Sequence, residues 1–144
     1  MAKREVFFED IDVADEIPTL PFRLTKEQVR HYAALCGLAE MGRFTDEEEA
    51  RKEGHRTIVA PGNMVLGLLS RVLTEWAWNG TLRKIEANLR DFVQPDEDLT
   101  SCGIVTAKHI RAGENLVECD VYIENGDGEK LATGTAVMAL PSRG

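Results

Sequence analysis

The chain has 144 residues, long enough for one domain with a core of its own. Hydrophobic residues make up 43% and charged residues 29%, as in ordinary folded domains. Against 17 Lys and Arg stand 25 Asp and Glu, and the resulting formal charge of -8 repels phosphate backbones, which argues against a nucleic-acid partner.

No apolar run approaches the roughly 20 residues of a membrane span, and the start MAKREVFFED lacks the uninterrupted apolar stretch of a signal peptide. The expectation is a cytoplasmic protein without a membrane partner. Cys36, Cys102 and Cys119 lie far apart with no CxxC spacing. They read as small buried hydrophobes in a reducing compartment, with neither a disulfide framework nor a zinc site. No metal and no cofactor are expected.

In chain order, residues 6–17 read as an irregular lead-in with a short strand and polar turns, and Pro18 and Pro21 hold residues 17–22 extended. A helix starts at Thr25, which has capping-box spacing to Gln28. Val29, Tyr32, Ala33 and Cys36 share one face, and Gly37 is the stop. A second, short helix opens at Thr45, spaced to Glu48 as another capping box. Its first turn holds Asp46, Glu47 and Glu48, where the helix dipole favours negative charge, and Gly54 ends it.

The third helix runs from Gly62 or Asn63 to Trp76. Met64, Val65, Leu66, Leu68, Leu69, Val72, Leu73 and Trp76 cover more than the ~100° stripe of a surface helix, so it is expected to be enclosed by other structure. After Asn79-Gly80 the period drops to two, and four strands are predicted near 82–93, 99–110, 115–124 and 130–140. In the third, Val117, Cys119, Val121 and Ile123 point one way and Glu118, Asp120, Tyr122 and Glu124 the other. Turns at Gln94-Pro95-Asp96, Ala112-Gly113 and Asn125-Gly126-Asp127-Gly128 are short, so consecutive strands pair antiparallel. A single α+β domain over residues 1–144 follows, a curved antiparallel sheet wrapped around a long helix.

This order of elements resembles the hot-dog fold, and the motif-bearing stretch resembles its MaoC-like branch, the (R)-specific enoyl-CoA hydratases and 3-hydroxyacyl-thioester dehydratases. Phe8-Glu9-Asp10 resembles that family's opening, and residues 25–37 the helix before its motif. The acidic helix of residues 45–54 follows in the same order. Thr57-Ile58-Val59-Ala60-Pro61-Gly62-Asn63 resembles the family's I-A-H-G-M approach to the central helix, and Ala132-Thr133-Gly134-Thr135-Ala136-Val137-Met138 its last strand.

The resemblance implies a lyase of fatty-acyl metabolism acting on an acyl-CoA or acyl-carrier-protein thioester. It implies an Asp and a His five residues apart, in a D-x-N-P-x-H-x-D pattern before the acidic helix. Aligned from Tyr32 and Gly37, these positions hold Leu38 and Arg43; aligned from Asp46 and Gly54, they hold Ala39 and Phe44. Neither register supplies the acid and base that proton transfer needs. Gly62 keeps the glycine whose N–H polarises the thioester carbonyl in the family, and Asn63 stands beside it as an amide donor or a helix cap.

His55, in the loop between the acidic helix and Pro61-Gly62-Asn63, is the best-placed substitute base, oriented by Asp46 or Glu40, and Glu40 is the substitute acid. His31 reads as a solvated or half-buried helix residue and His109 as exposed sheet surface. Trp76 and Trp78 read as core and interface fillers. Arg71, Arg83 and Lys84 are the cations available to cofactor phosphates.

Three functional readings stand. The first is a thioester-binding chain that hydrates or dehydrates only with a dyad-bearing MaoC-like partner, or not at all. The second is an independent hydratase using His55 and Glu40, or a thioesterase relying on Asn63. The third is a non-enzymatic acyl-group sensor or assembly subunit. An open curved sheet leaves an unpaired edge and a partly covered helix, so a homodimer or a heterodimer is expected.

Overall fold

A computed structural model describes residues 4–144. Strands β1 (Glu16–Phe22), β2 (Thr81–Leu89), β3 (Leu99–Arg111), β4 (Glu114–Asn125) and β5 (Lys130–Ala139) form one antiparallel sheet in the order β1-β3-β4-β5-β2. Helices α1 (Lys26–Leu35) and α2 (Glu47–Lys52) precede α3 (Gly62–Trp76), which packs against all five strands. The expected α+β hot-dog arrangement is the one observed, with α3 at the span read from its sequence.

The alternation in β4 sorts as expected. Val117, Cys119, Val121 and Ile123 are buried, and they meet Val65, Leu69, Val72 and Leu73 of α3 in one core with Val105, Ala136 and Met138. Burial among these apolar side chains, with the Asp120 and Glu118 charges adding to it, pushes the Cys119 thiol up to about 12, so it is an inert core group. Thr25 caps α1 with the reciprocal Gln28 bonds of a capping box, and Gly37 ends it at φ +73°, a conformation that suits glycine.

Ala112-Gly113 closes the β3–β4 hairpin with both residues at positive φ, 51° and 80°, the requirement of a two-residue primed turn. Alanine is strained there, and asparagine tolerates it better. Ala112→Asn is therefore expected to stabilise the protein by about 1 kcal/mol in urea unfolding.

Within residues 6–17 the strand is confined to Glu16 and Ile17, the start of β1, and a 3-10 turn at Phe8–Asp10 stands earlier, tied by Phe8 N–H to the Pro141 carbonyl at 3.0 Å. Three expectations are corrected. Cys36 is exposed, because α1 ends at Leu35 and the residue falls on its C-cap. The cap of α2 is Asp46, whose carboxylate accepts from Glu48 and Glu49 N–H. The Thr45 hydroxyl is spent on the Ala39 carbonyl at 3.0 Å. Finally, α3 is not enclosed all round: Asn63, Leu66, Gly67, Arg71 and Thr74 form an exposed stripe, since the single sheet covers only the opposite side.

The two edges of the sheet differ. In β1, Pro18 and Pro21 lack N–H groups and the pairing with β3 slips between Ile17 and Leu20, so this edge is a poor template. Strand β2 runs nine residues without proline, with a register slip of its own between Leu82 and Lys84, and among the described residues it pairs only with β5, leaving a row of unpaired backbone groups.

Candidate functional site

The segment leading into α3 is held like a strap. Thr57, Ile58, Val59, Ala60 and Pro61 are all buried. Val59 N–H donates to the Arg43 carbonyl at 2.9 Å and Ala60 N–H to the Val93 carbonyl at 2.8 Å. Pro61 then starts the helix without a side-chain cap, and its carbonyl takes the N–H groups of Met64 and Val65. The amides of Gly62 and Asn63, ahead of any intrahelical acceptor, point out of the helix end with the positive end of its dipole. Asn63 lies in the first turn and is exposed, so its role as the cap is not realised. Gly62 lies against β2: a Cβ on it would come within 2.8 Å of Leu89 Cδ1, so the missing side chain is what lets the Leu89 side chain pack against the helix start.

A half-buried carboxylate anchors this strap. Glu47 Oε1 accepts from Lys26 Nζ at 2.6 Å and from the buried Thr57 hydroxyl at 3.0 Å, tying α1, α2 and the strap together. The Lys26 bond first and the Thr57 bond second hold the Glu47 carboxyl below the ordinary glutamate value. A lowered folded-state pKa contributes stability above the unfolded value and loses it as pH falls through the folded one. Glu47→Gln is therefore expected to unfold earlier than the parent in urea at pH 7. The gap should close as pH drops below the depressed Glu47 value.

The positions aligned with the family dyad are used for packing. Leu38 and Phe44 join Ala33 and Val59 in a small apolar cluster. The Arg43 guanidinium lies 5.1 Å over the Phe44 ring and reaches Glu53 at 3.5 Å. Ala39 offers only its carbonyl, to Thr45.

His55 is half-buried, its ring and that of Phe92 meeting edge-on at 4.3 Å between centroids, while its backbone N–H donates to the Ala50 carbonyl. Asp46 caps α2 through one carboxylate oxygen, Oδ1, and among the described residues no hydrogen bond joins it to His55. Glu40 sits exposed in the turn after α1, and among the described residues no hydrogen bond joins it to His55. Arg83 is paired with Glu114 and Lys84 with Glu86 at 3.0 Å, while Arg71 is exposed on α3.

Leu89 and Phe92, missed in the sequence, stand exposed beside the helix start, and nothing local in the sequence marks them. A separate cleft of about 850 Å³ lies at the other end of α3, floored by Ile11, Leu20, Val72 and Trp76, with the Asp10–Arg143 pair on its rim.

The family described as the FAS1-like dehydratase domain region matches residues 12–133. The chain belongs to that family. No curated protein matches this dehydratase-region chain significantly. Among solved structures it is similar to the ChsH1–ChsH2 complex from Mycobacterium tuberculosis (22% identity over 90% of this chain and 98% of that one, TM-score 0.77). It is also similar to the (R)-hydratase PhaJ1 from Pseudomonas aeruginosa (16% identity, 96% and 88% coverage, TM-score 0.85). A MaoC-like dehydratase from Rhodospirillum rubrum shows 20% identity, 96% and 99% coverage and a TM-score of 0.82. These likenesses show a shared hot-dog fold. No helix among the described residues is long and apolar enough to cross a membrane.

Proposed function

We propose that this dehydratase-region chain binds an acyl thioester, CoA- or carrier-protein-linked, at the start of α3 and does not itself move the protons of hydration. The observation that carries this reading is the use of Leu38, Ala39, Arg43 and Phe44 in packing and ion pairing where the family places an acid and a base. The amides of Gly62 and Asn63 supply carbonyl polarisation. Chemistry then comes from a MaoC-like chain that carries the dyad, or the protein serves as a non-catalytic acyl binder. A solved relative that is itself a two-component complex supports the first option.

The second chain pairs along β2. That edge is open, it adjoins Gly62 through Leu89, and the exposed stripe of α3 is left uncovered by this chain alone. Arg71 is the exposed cation on α3 for phosphate contacts.

The test is binding of a saturated acyl-CoA, such as butyryl-CoA, by calorimetry. The parent should bind, and Gly62→Val should weaken binding by roughly tenfold, because its branched side chain crowds the approach to the helix-end amides and costs about one hydrogen bond. The new side chain meets only the tip of Leu89, so the fold should be kept. No detectable binding by the parent would remove the proposal.

A second reading keeps catalysis in this chain with His55 as the base. The half-burial of His55 against Phe92, at the end of the strap that leads to Gly62, favours it. Glu40 would be the acid, and a thioesterase version would use Asn63. His55→Ala and Glu40→Ala, assayed against enoyl- and acyl-CoA, separate these from the leading reading.

A further inference from the structure

We infer that the cleft at the C-terminal end of α3 is a second ligand site, and that it takes an amphipathic organic cation, an ammonium group carried on an apolar body. The thioester reading concerns the opposite end of the same helix, so the two stand or fall separately.

The cleft holds about 850 Å³, within the range of small-molecule sites. Its floor is apolar. Ile11 and Leu20 come from the approach to β1 and from β1 itself, and Val72 and Trp76 lie one helical turn apart at the end of α3.

One wall is the segment that starts at Arg4, and side chains beyond the helix hold it in place. Asn79 clamps Val6 with both amide atoms: Oδ1 accepts from Val6 N–H and Nδ2 donates to the Val6 carbonyl, each at 3.0 Å. The Trp78 indole N–H donates to the Arg4 carbonyl, also at 3.0 Å. These ties shape the cleft before anything enters it, which lowers the ordering cost that a ligand must meet.

Charge selects the ligand. Asp10 and Arg143 pair on the rim at 2.8 Å, and the Arg143 guanidinium also lies 4.9 Å over the Phe7 ring. Counting every charged side chain around the cleft, the carboxylates of Glu5, Asp10 and Glu75 outnumber the guanidiniums of Arg4 and Arg143. That excess is small, and three further features act in the same direction. The negative end of the α3 dipole lies here, where cations are favoured. The half-buried Trp76 indole lines the floor, and tryptophan is the aromatic side chain that attracts cations most strongly. The whole chain carries a formal charge of -8, and its field draws in cations and repels anions. An apolar body is required as well, because an ion without one would leave the floor unoccupied.

The test uses three probes of matched size and different charge: phenylbutylammonium, phenylbutanol and phenylbutyrate. Binding is followed by the fluorescence of Trp76 and Trp78, the two tryptophans of the chain, and checked by calorimetry. The ammonium should bind in the millimolar range or tighter, as its size allows. It should bind roughly tenfold or more tightly than the carboxylate, with the alcohol between them, and the gap should narrow as salt rises.

Two neighbouring substitutions then read the charge of the rim. Glu5→Gln should weaken ammonium binding by roughly threefold, and Arg4→Gln should strengthen it by a similar factor. Both side chains are exposed, so far-ultraviolet circular dichroism should be unchanged. A purely structural role cannot give effects of opposite sign.

No detectable binding of the ammonium, tighter binding of the carboxylate, or indifference to both substitutions would overturn the inference. So would displacement of the ammonium by butyryl-CoA, which would merge the cleft with the helix start. Ammonium binding by a protein that takes no butyryl-CoA would uphold the cleft and remove only the thioester reading.

Discussion

Purified alone, the protein is expected to hydrate crotonyl-CoA on the order of 10⁴-fold more slowly than an (R)-specific hydratase that carries an acid and a base. The magnitude follows from what is missing. Positioned proton transfer contributes typically about 10²–10⁴-fold, and on the proposed reading Leu38 or Ala39 and Arg43 or Phe44 stand in place of both proton carriers. Carbonyl polarisation by the amides of Gly62 and Asn63 should leave a small residual rate, since an oriented helix end stabilises the developing oxyanion on its own. That residue of activity should not change in His55→Ala or Glu40→Ala. It should rise steeply when a MaoC-like chain with an intact dyad is co-purified. A steady-state assay following loss of the enoyl absorbance settles the matter: dyad-like rates from this chain alone would transfer the chemistry to His55.

The largest stability effect is expected at Leu69. This side chain is 0% exposed in the middle of α3 and faces the sheet together with Val65, Val72 and Leu73. Leu69→Ala removes buried methyl groups and leaves a cavity that the sheet-enclosed site cannot close by collapsing. A loss of about 3–4 kcal/mol in urea unfolding is expected. Alanine is a better helix former than leucine, so propensity cannot be the cause of any loss. Leu66→Ala, on the exposed stripe at 37% exposure, should cost about 1 kcal/mol or less in the monomer. Equal losses at the two positions would mean that the core does not lie where the sheet meets α3.

Much of the fold was legible because its signals are local. The two-residue period of β4, the tight turn at Ala112-Gly113, the Thr25–Gln28 box and the apolar run of α3 each depend on residues within a few positions of one another. Local reading failed where two neighbours were equally able. Thr45 and Asp46 can both cap a helix, and the tie was broken by the preceding turn, which took the Thr45 hydroxyl. Glu47, Glu48 and Glu49 are alike in sequence, yet only Glu47 meets Lys26 and Thr57, residues far from it along the chain.

The candidate site divides in the same way. The Gly62 lead-in and the apolar or basic residues at the positions aligned with the family dyad were readable in the sequence, because a motif is a statement about residue identity and spacing. That His55 meets the Phe92 ring and that Leu89 flanks Gly62 were not. Such contacts join residues more than 25 positions apart, and no periodicity encodes them. The sequence by itself determined the order of elements, the face β4 buries and the side chains available for chemistry, since these depend on backbone preference and hydrophobic period. Only the tertiary structure decided which side of α3 stays uncovered and which sheet edge stays open. A helix apolar all round does not say how many layers surround it; that depends on how far five strands can curve.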